Sequence, residues 1–159
     1  MTGFKPHLLE GVTGSGKTEI YIECIKEVIA RGHQALVIIP EIGLTPQTKH
    51  RFEAAFGCEV PLIHSGLTEV ERGRTWAMAR SGAARVVLGT RSSVFCSFRA
   101  LGLIVVDEEH DPSFRQQDHP RYSARDVAVK RAQICNCPII MGSATPSLET
   151  IANCDQGRY

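Results

Sequence analysis

The chain has 159 residues, with 18 Lys and Arg against 17 Asp and Glu and a formal charge of +1. That length points to one domain able to bury roughly 70% of its unfolded surface. The near-neutral balance excludes a global basic field as the means of holding nucleic acid and leaves only local patches.

No apolar run approaches the ~20 residues that span a bilayer, and the N-terminus carries no signal-peptide core. Cysteines at 24, 58, 96, 135, 137 and 154 form no C-x-x-C pair. They read as reduced, packed residues of a cytoplasmic protein, not as metal ligands or bridges.

In chain order, His7-Leu8-Leu9-Glu10 is a short strand that runs into Gly11-Val12-Thr13-Gly14-Ser15-Gly16-Lys17-Thr18. This is the full G-x-x-x-x-G-K-[ST] pattern of a phosphate-binding loop. Gly11, Gly14 and Gly16 permit torsions closed to other residues, so successive N–H groups can point at phosphates. The following helix adds its positive N-terminal end, with Glu19 in its first turn. Lys17 reaches the β- and γ-phosphates, and the Thr18 hydroxyl ligates Mg²⁺. That helix spans 18–31, with Ile20, Tyr21, Cys24, Ile25, Val28 and Ile29 on one face.

An apolar strand over 35–39 ends at Pro40, and Thr45-Pro46 opens the next helix as N-cap and first helical residue. A strand follows over 60–63. Thr68-Glu69-Val70-Glu71 is a capping box opening a helix to about 82. In that helix Trp76 packs inward, while Arg72, Arg74 and Arg80 form a solvated face. Further strands cover 85–88 and 101–106. Ser123-Ala124-Arg125-Asp126 starts a helix with Ala124, Val127, Ala128, Ala132 and Cys135 inward, and a strand over 138–141 follows. The strands are continuously apolar, as expected when helices cover both faces, so the fold class is α/β with a parallel sheet.

Ligands of such sheets gather beyond the carboxyl ends of the strands. After the 101–106 strand comes Asp107-Glu108-Glu109-His110. A strand ending in Asp supplies the carboxylate that holds Mg²⁺ opposite Thr18, and an adjacent Glu can orient and deprotonate the attacking water. The chain lacks the Asn-Lys-x-Asp segment that reads guanine. No upstream glutamine motif marks a reader of adenine.

Asp107-Glu108-Glu109-His110 resembles the DExH form of motif II in superfamily 2 helicases, which makes Lys17, Asp107, Glu108 and His110 the catalytic set. The run from Pro40 to Gln47 lies where motif Ia falls, and Gly89-Thr90-Arg91-Ser92-Ser93 where motif Ib falls. Gly142-Ser143-Ala144-Thr145-Pro146 resembles motif III, in which Ser143 and Thr145 would couple hydrolysis to domain motion. The flanks Leu9-Glu10 and Glu19, Leu62-Ile63-His64-Ser65-Gly66-Leu67, and the segment from Phe114 through Asp126 resemble more narrowly the bacterial replication-restart helicases.

That resemblance covers essentially the whole chain. It implies that residues 1–159 are the first RecA-like, ATP-binding lobe of a two-lobed 3′-to-5′ DNA helicase working with ATP and Mg²⁺. Implied partners are single-stranded and forked DNA, single-strand-binding protein and other primosome proteins, in the bacterial cytoplasm and not at a membrane. The second lobe, the zinc-binding cysteine cluster and a DNA-binding domain would lie outside this chain.

On the DNA side, Thr90, Arg91 and Ser92 are candidate phosphate contacts. His64 and Ser65 either line the same track or form a turn. The loop with Phe114, Gln117, Arg121 and Tyr122 is a candidate base-stacking sensor, with ordinary packing the other reading of its two rings. Because such motors complete the γ-phosphate site with an arginine from the second lobe, the lobe alone is expected to bind nucleotide weakly and not to unwind. Other readings are the lobe of a different superfamily 2 translocase, or a nucleotide- and protein-binding module without activity.

Overall fold

Helix and strand signals alternate along the chain, and each short apolar run becomes a strand of one sheet. A computed structural model describes residues 3–159. β1 (Pro6–Glu10) leads through the phosphate-binding loop into α1 (Lys17–Ala30), followed by β2 (Gln34–Ile38), α2 (Pro46–Phe56), β3 (Leu62–Ile63), α3 (Glu69–Ser81) and β4 (Val86–Gly89). Next come β5 (Leu101–Val106), the two-residue strands β6 (Arg115–Gln116) and β7 (Tyr122–Ser123), α4 (Ala124–Ile134), β8 (Ile139–Ser143) and α5 (Leu148–Asp155). Six strands form one parallel sheet in the order β1-β8-β5-β2-β4-β3, and β6 and β7 pair antiparallel by themselves.

Alternate residues of each strand serve opposite faces. Leu36, Ile38, Val87, Ile104, Val106 and Met141 pack with Ala79 of α3 and Ala124, Ala128 and Ala132 of α4. Ala35, Val37, Leu88, Leu103, Val105 and Ile140 pack with Tyr21, Ile25 and Val28 of α1 and Phe52 of α2. Both faces are covered, which accounts for strands apolar at every position.

The capping residues behave as their chemistry dictates. Thr45 accepts from the Thr48 N–H, Ser123 from the Asp126 N–H, and Thr68 and Glu71 close both halves of their capping box.

Departures from the sequence reading are local. The inward stripe of α1 is Tyr21, Ile22, Ile25 and Val28; Ile20 is exposed. Cys135 lies past the end of α4 and is exposed, because the helix ends at Ile134 and the chain turns through Asn136 at a φ of 51°. Only Leu62–Ile63 of the 60–63 strand pairs, and the 111–122 loop contains a short 3₁₀ turn and the β6–β7 hairpin. Trp76 is partly buried against the core, and Arg72, Arg74 and Arg80 are exposed.

Candidate functional site: a phosphate loop facing two acidic strand ends

The carboxyl ends of β1, β2, β5 and β8 converge on one side of the sheet. At β1, Gly14 and Gly16 take φ values of 80° and 90°, the left-handed region that glycine tolerates. Gly11 is not in that region. A Cβ there would lie 2.6 Å from Ser15 Oγ, so a side chain at this position needs the Ser15 hydroxyl to turn away. Gly16 caps α1 without a side chain, which leaves the first-turn N–H groups for an anion. Gly11 N–H also donates to the Ser143 carbonyl, at 3.1 Å, fixing the loop to the end of β8.

Lys17 is buried. Its Nζ donates to the carbonyls of Gly11 at 2.6 Å and Val12 at 3.3 Å, and lies 3.9 Å from Glu108 Oε1. Lys17, Thr18, Asp107 and Glu108 line one cleft of about 400 Å³, with Glu19 and Arg51 at its rim. Glu19 and Arg51 are ion-paired there, so α2 contributes a basic residue that the loop pattern could not reveal. Val12, Thr13 and Ser15 are exposed on the loop.

Tyr21 is fully buried on α1, and its hydroxyl donates to Asp107 Oδ1 at 2.8 Å. Burial first, and then the charge of Asp107, raise the phenol pKa far above its ordinary value, so the phenol stays a donor. A Cβ on Gly142 would sit 1.6 Å from that hydroxyl, so the glycine that precedes Ser143 in β8 exists to let Tyr21 through. Neither residue was legible as functional: Tyr21 reads as a core position of α1.

Glu108 follows at a φ of 49°, a left-handed conformation that costs a non-glycine residue ~1–3 kcal/mol and persists only where its surroundings fix it. The surroundings do so from both sides. Asp107 N–H donates to the Ile38 carbonyl at 2.9 Å, and Glu109 N–H to the Gly142 carbonyl at 3.0 Å. Glu108 Oε2 lies 3.7 Å from His110 Nδ1, which itself stands 2.6 Å from Ser143 Oγ. That hydroxyl also accepts from the Thr145 N–H, at 3.0 Å. The acidic tetrad and the Ser-Ala-Thr segment are therefore in direct contact.

Thr18 and Asp107 offer a hydroxyl and a carboxylate to the same cleft. That donor set fits Mg²⁺, which takes few protein oxygens and completes its shell with substrate phosphates and water.

Glu109 points away from the cleft, and its side chain is fully enclosed. Its carboxylate accepts from the Ser147 N–H at 2.7 Å, the Ser147 hydroxyl at 3.2 Å, the Thr150 hydroxyl at 2.9 Å and Arg125 Nη1 at 3.3 Å. Arg125 continues to Asp126 at 2.9 Å, Ser147 at 2.8 Å and Glu149 at 3.0 Å. Hydrogen bonding to Arg125, helped by Arg115, holds the Glu149 carboxyl below its ordinary pKa. This network was missed because the tetrad pattern does not distinguish its two glutamates.

On the expected DNA side, Thr90 is buried and anchored to the Ile63 carbonyl at 2.9 Å, while Ser92 is exposed. Thr90, His64 and Ser65 line a groove of about 490 Å³ with Glu41 and Lys49. Within it His64 Nδ1 accepts from the Gly66 N–H at 3.1 Å, the mark of a turn, and Ser65 donates to Glu41 at 3.3 Å. Arg91 Nη1 donates to the carbonyls of Ser113 at 3.2 Å and Arg115 at 3.3 Å, so it also supports the loop after the tetrad.

Phe114 corrects the sequence reading. It is 2% exposed within the core beneath α4 and presents no ring to a base. Tyr122 packs edge-on against Phe95 at 5.1 Å and 71°, and Phe95 is half exposed, a ring that the motif pattern passed over. Gln117 and Arg121 are exposed and linked to each other, Arg121 Nε donating to the Gln117 carbonyl at 3.0 Å.

The model of the family described as DEAD/DEAH box helicase matches residues 3–154. The chain belongs to the DEAD/DEAH box helicases. Within that family it is 54% identical over 158 residues to the replication restart protein PriA of Haemophilus influenzae, covering 99% of this chain and 22% of that protein. It is 48% identical over 155 residues to the replication restart protein PriA of Bacillus subtilis, covering 98% of this chain and 19% of that one. The chain thus spans about a fifth of the length of these curated relatives.

Among solved structures, it is similar to RecG bound to a three-way DNA junction, with a TM-score of 0.64 and 24% identity over 95% of this chain and 19% of that one. It is also similar to the helicase MrfA bound to DNA and AMPPNP, with a TM-score of 0.65 and 20% identity over 91% of this chain and 22% of that one. At these identities the structural likeness establishes the helicase lobe fold. Among the described residues of this DEAD/DEAH box lobe, no helix is long and apolar enough to cross a membrane.

Proposed function

We propose that this chain is the ATP-binding lobe of an ATP-dependent 3′-to-5′ DNA helicase that acts at stalled or branched replication forks and restarts replication. The observation that carries the proposal is the cleft shared by Lys17, Thr18, Asp107 and Glu108, tied through His110 and Ser143 to the segment after β8. Replication restart enters from the identity to the two PriA proteins, and DNA as substrate from their named role together with the DNA-bound fold neighbours.

Phosphates entering the cleft meet the N–H groups of the Gly11–Thr18 loop and the first turn of α1. Lys17 Nζ exchanges the carbonyls of Gly11 and Val12 for β- and γ-phosphate oxygens. Thr18 and Asp107 would hold Mg²⁺, which neutralises charge developing on the phosphates. Tyr21 fixes Asp107 by one carboxylate oxygen. Glu108, poised between Lys17 and His110, orients the attacking water and accepts its proton. Ser143, which contacts His110 and accepts from the Thr145 N–H, passes the change in the tetrad through Thr145 to the rest of the motor.

Ser92 and the groove beside His64 and Ser65 form the phosphate track, with the buried Thr90 anchoring its base and Gln117 and Arg121 on the hairpin beyond it. Tyr122, a stacking candidate from sequence, supplies the aromatic surface together with Phe95, and Phe114 does not. The partners are single-stranded and forked DNA, single-strand-binding protein and other primosome proteins, in the bacterial cytoplasm. Zinc belongs to a part of the longer protein outside this lobe. The arginine that completes the γ-phosphate site belongs to the second lobe, so this lobe alone binds nucleotide weakly and does not unwind DNA.

The proposal is tested on this chain by titrating a fluorescent ATP analogue with Mg²⁺. Lys17→Ala should weaken binding about tenfold to a hundredfold, the range of a lost hydrogen bond to a charged group. Equal binding by the variant would refute the assignment of the cleft.

A further inference from the structure

The hydrolytic reading has no use for the second glutamate of the tetrad, yet Glu109 is enclosed and held by four donors. Three ion pairs lead from it to the surface. Arg125 Nη1 meets Glu109 at 3.3 Å, Arg125 Nη2 meets Glu149 at 3.0 Å, and Arg115 Nη2 meets Glu149 at 3.1 Å. The signs alternate, and the series ends at Arg115, whose side chain is 63% exposed on β6. That hairpin carries Gln117 and Arg121 and is tied by Arg91 to the segment after β4. At the inner end, Glu109 is one of the two brackets that hold Glu108 in its left-handed conformation.

We propose that Glu109, Arg125, Glu149 and Arg115 form an electrostatic relay through which a nucleic-acid phosphate at the β6–β7 hairpin sets the position of Glu108. The relay rests on the reading of this lobe as part of a DNA-stimulated ATPase. A phosphate at Arg115 competes with Glu149 for the guanidinium, since both are acceptors of the same planar donor. Glu149, released from Arg115, pulls harder on Arg125.

Arg125 holds Ser147 at 2.8 Å, Asp126 at 2.9 Å, Glu149 at 3.0 Å and Glu109 at 3.3 Å, so a displacement of its guanidinium toward Glu149 is felt directly at Glu109. Glu109 then shifts against Ser147 and Thr150, and the adjacent Glu108 moves relative to Lys17. Glu109 and Arg125 are positioning residues in this scheme and touch no substrate. The place of Glu109 next to Glu108 in the tetrad explains why a signal that begins on a surface hairpin reaches the hydrolytic carboxylate within four side chains.

The experiment uses the complete two-lobed protein and the Glu149→Gln variant, which removes the exposed middle charge of the relay without opening the core. ATP turnover is measured with and without forked DNA, and DNA affinity by fluorescence anisotropy. The expected result is unchanged basal turnover, DNA affinity equal to or above that of the unsubstituted protein because Arg115 loses its competing partner, and a stimulation lowered about five- to tenfold, the low end of site-to-site coupling. Glu149→Asp, which keeps the charge, should restore stimulation. Full stimulation in Glu149→Gln, a parallel loss of DNA affinity, or failure of Glu149→Asp to restore it would overturn the relay. If the unsubstituted protein is itself not stimulated by forked DNA, the functional reading fails, and the relay with it.

Discussion

Replacing Gly142 by Ala tests how the acidic strand end is held. The added Cβ would fall 1.6 Å from Tyr21 Oη and 2.9 Å from Tyr21 Cζ. Tyr21 is 1% exposed and packed in the core with Ile25, Val37 and Phe52, so its ring has no open space to enter. Making room for it both pushes β8 away from α1 and pulls Tyr21 off Asp107. Overpacking of a tight core costs ~1–3 kcal/mol. Loss of a hydrogen bond to a charged group adds ~1.5–3 kcal/mol.

The expected destabilisation is therefore about 3–5 kcal/mol, or roughly 6–20 °C in Tm for a domain of this size. Tyr21→Phe alone removes only the hydroxyl, at about 1.5–3 kcal/mol. The double variant retains the 2.9 Å contact but not the 1.6 Å one, so it should be more stable than the sum of the single losses by at least ~1 kcal/mol. Urea or thermal unfolding of the four proteins measures that cycle. Gly142→Ala melting within 2 °C of the unsubstituted chain (less than ~1 kcal/mol for this size), or strict additivity, would refute the reasoning.

Phe114→Ala should open a core cavity costing ~3–5 kcal/mol, and it should lower basal and DNA-stimulated turnover together; selective loss of the stimulated rate would restore the stacking role. Phe95→Ala should leave the melting temperature nearly unchanged but weaken single-strand binding by ~1–3 kcal/mol, measured by anisotropy; undiminished binding would remove Phe95 from the DNA track. Burial pushes the Cys96 and Cys137 thiols up to about 11 in the folded chain. Their raised values mean that the unfolded thiols ionise first, so stability present below the ordinary pKa of 9.0 is lost as pH rises through about 11. Unfolding midpoints across that alkaline range check it, and Cys96→Ala combined with Cys137→Ala should flatten the loss.

The sequence discloses most of what lies at strand ends and little of what joins them. The Gly11–Thr18 loop, the Asp107–His110 tetrad and the Gly142–Pro146 segment are local patterns, each set by the chemistry of its own ligand or cap. The caps at Thr45, Thr68 and Ser123 are likewise legible, because their partners lie three residues away. Tyr21, Gly142, Arg125 and Glu149 act through contacts across 16 to 86 positions of sequence or through a forbidden Cβ, and no spacing rule reports those.

Phe114 misled because an aromatic in a polar loop can turn either way. The Pro112–Phe114 turn, capped by Asp111, rotates it under α4. Gly11 misled as well. Its backbone is not in the left-handed region, and an added Cβ would crowd only the Ser15 hydroxyl.

The central claim is that Glu108 is the residue that turns a phosphate cradle into a DNA-coupled hydrolytic site. The most direct measurement is steady-state ATP turnover of the two-lobed protein with forked DNA, unsubstituted against Glu108→Gln, alongside nucleotide affinity. Turnover should fall by about 10²–10⁴ while ATP binding stays within a few-fold. Turnover that survives the substitution, or a loss explained wholly by weakened ATP binding, would contradict the account.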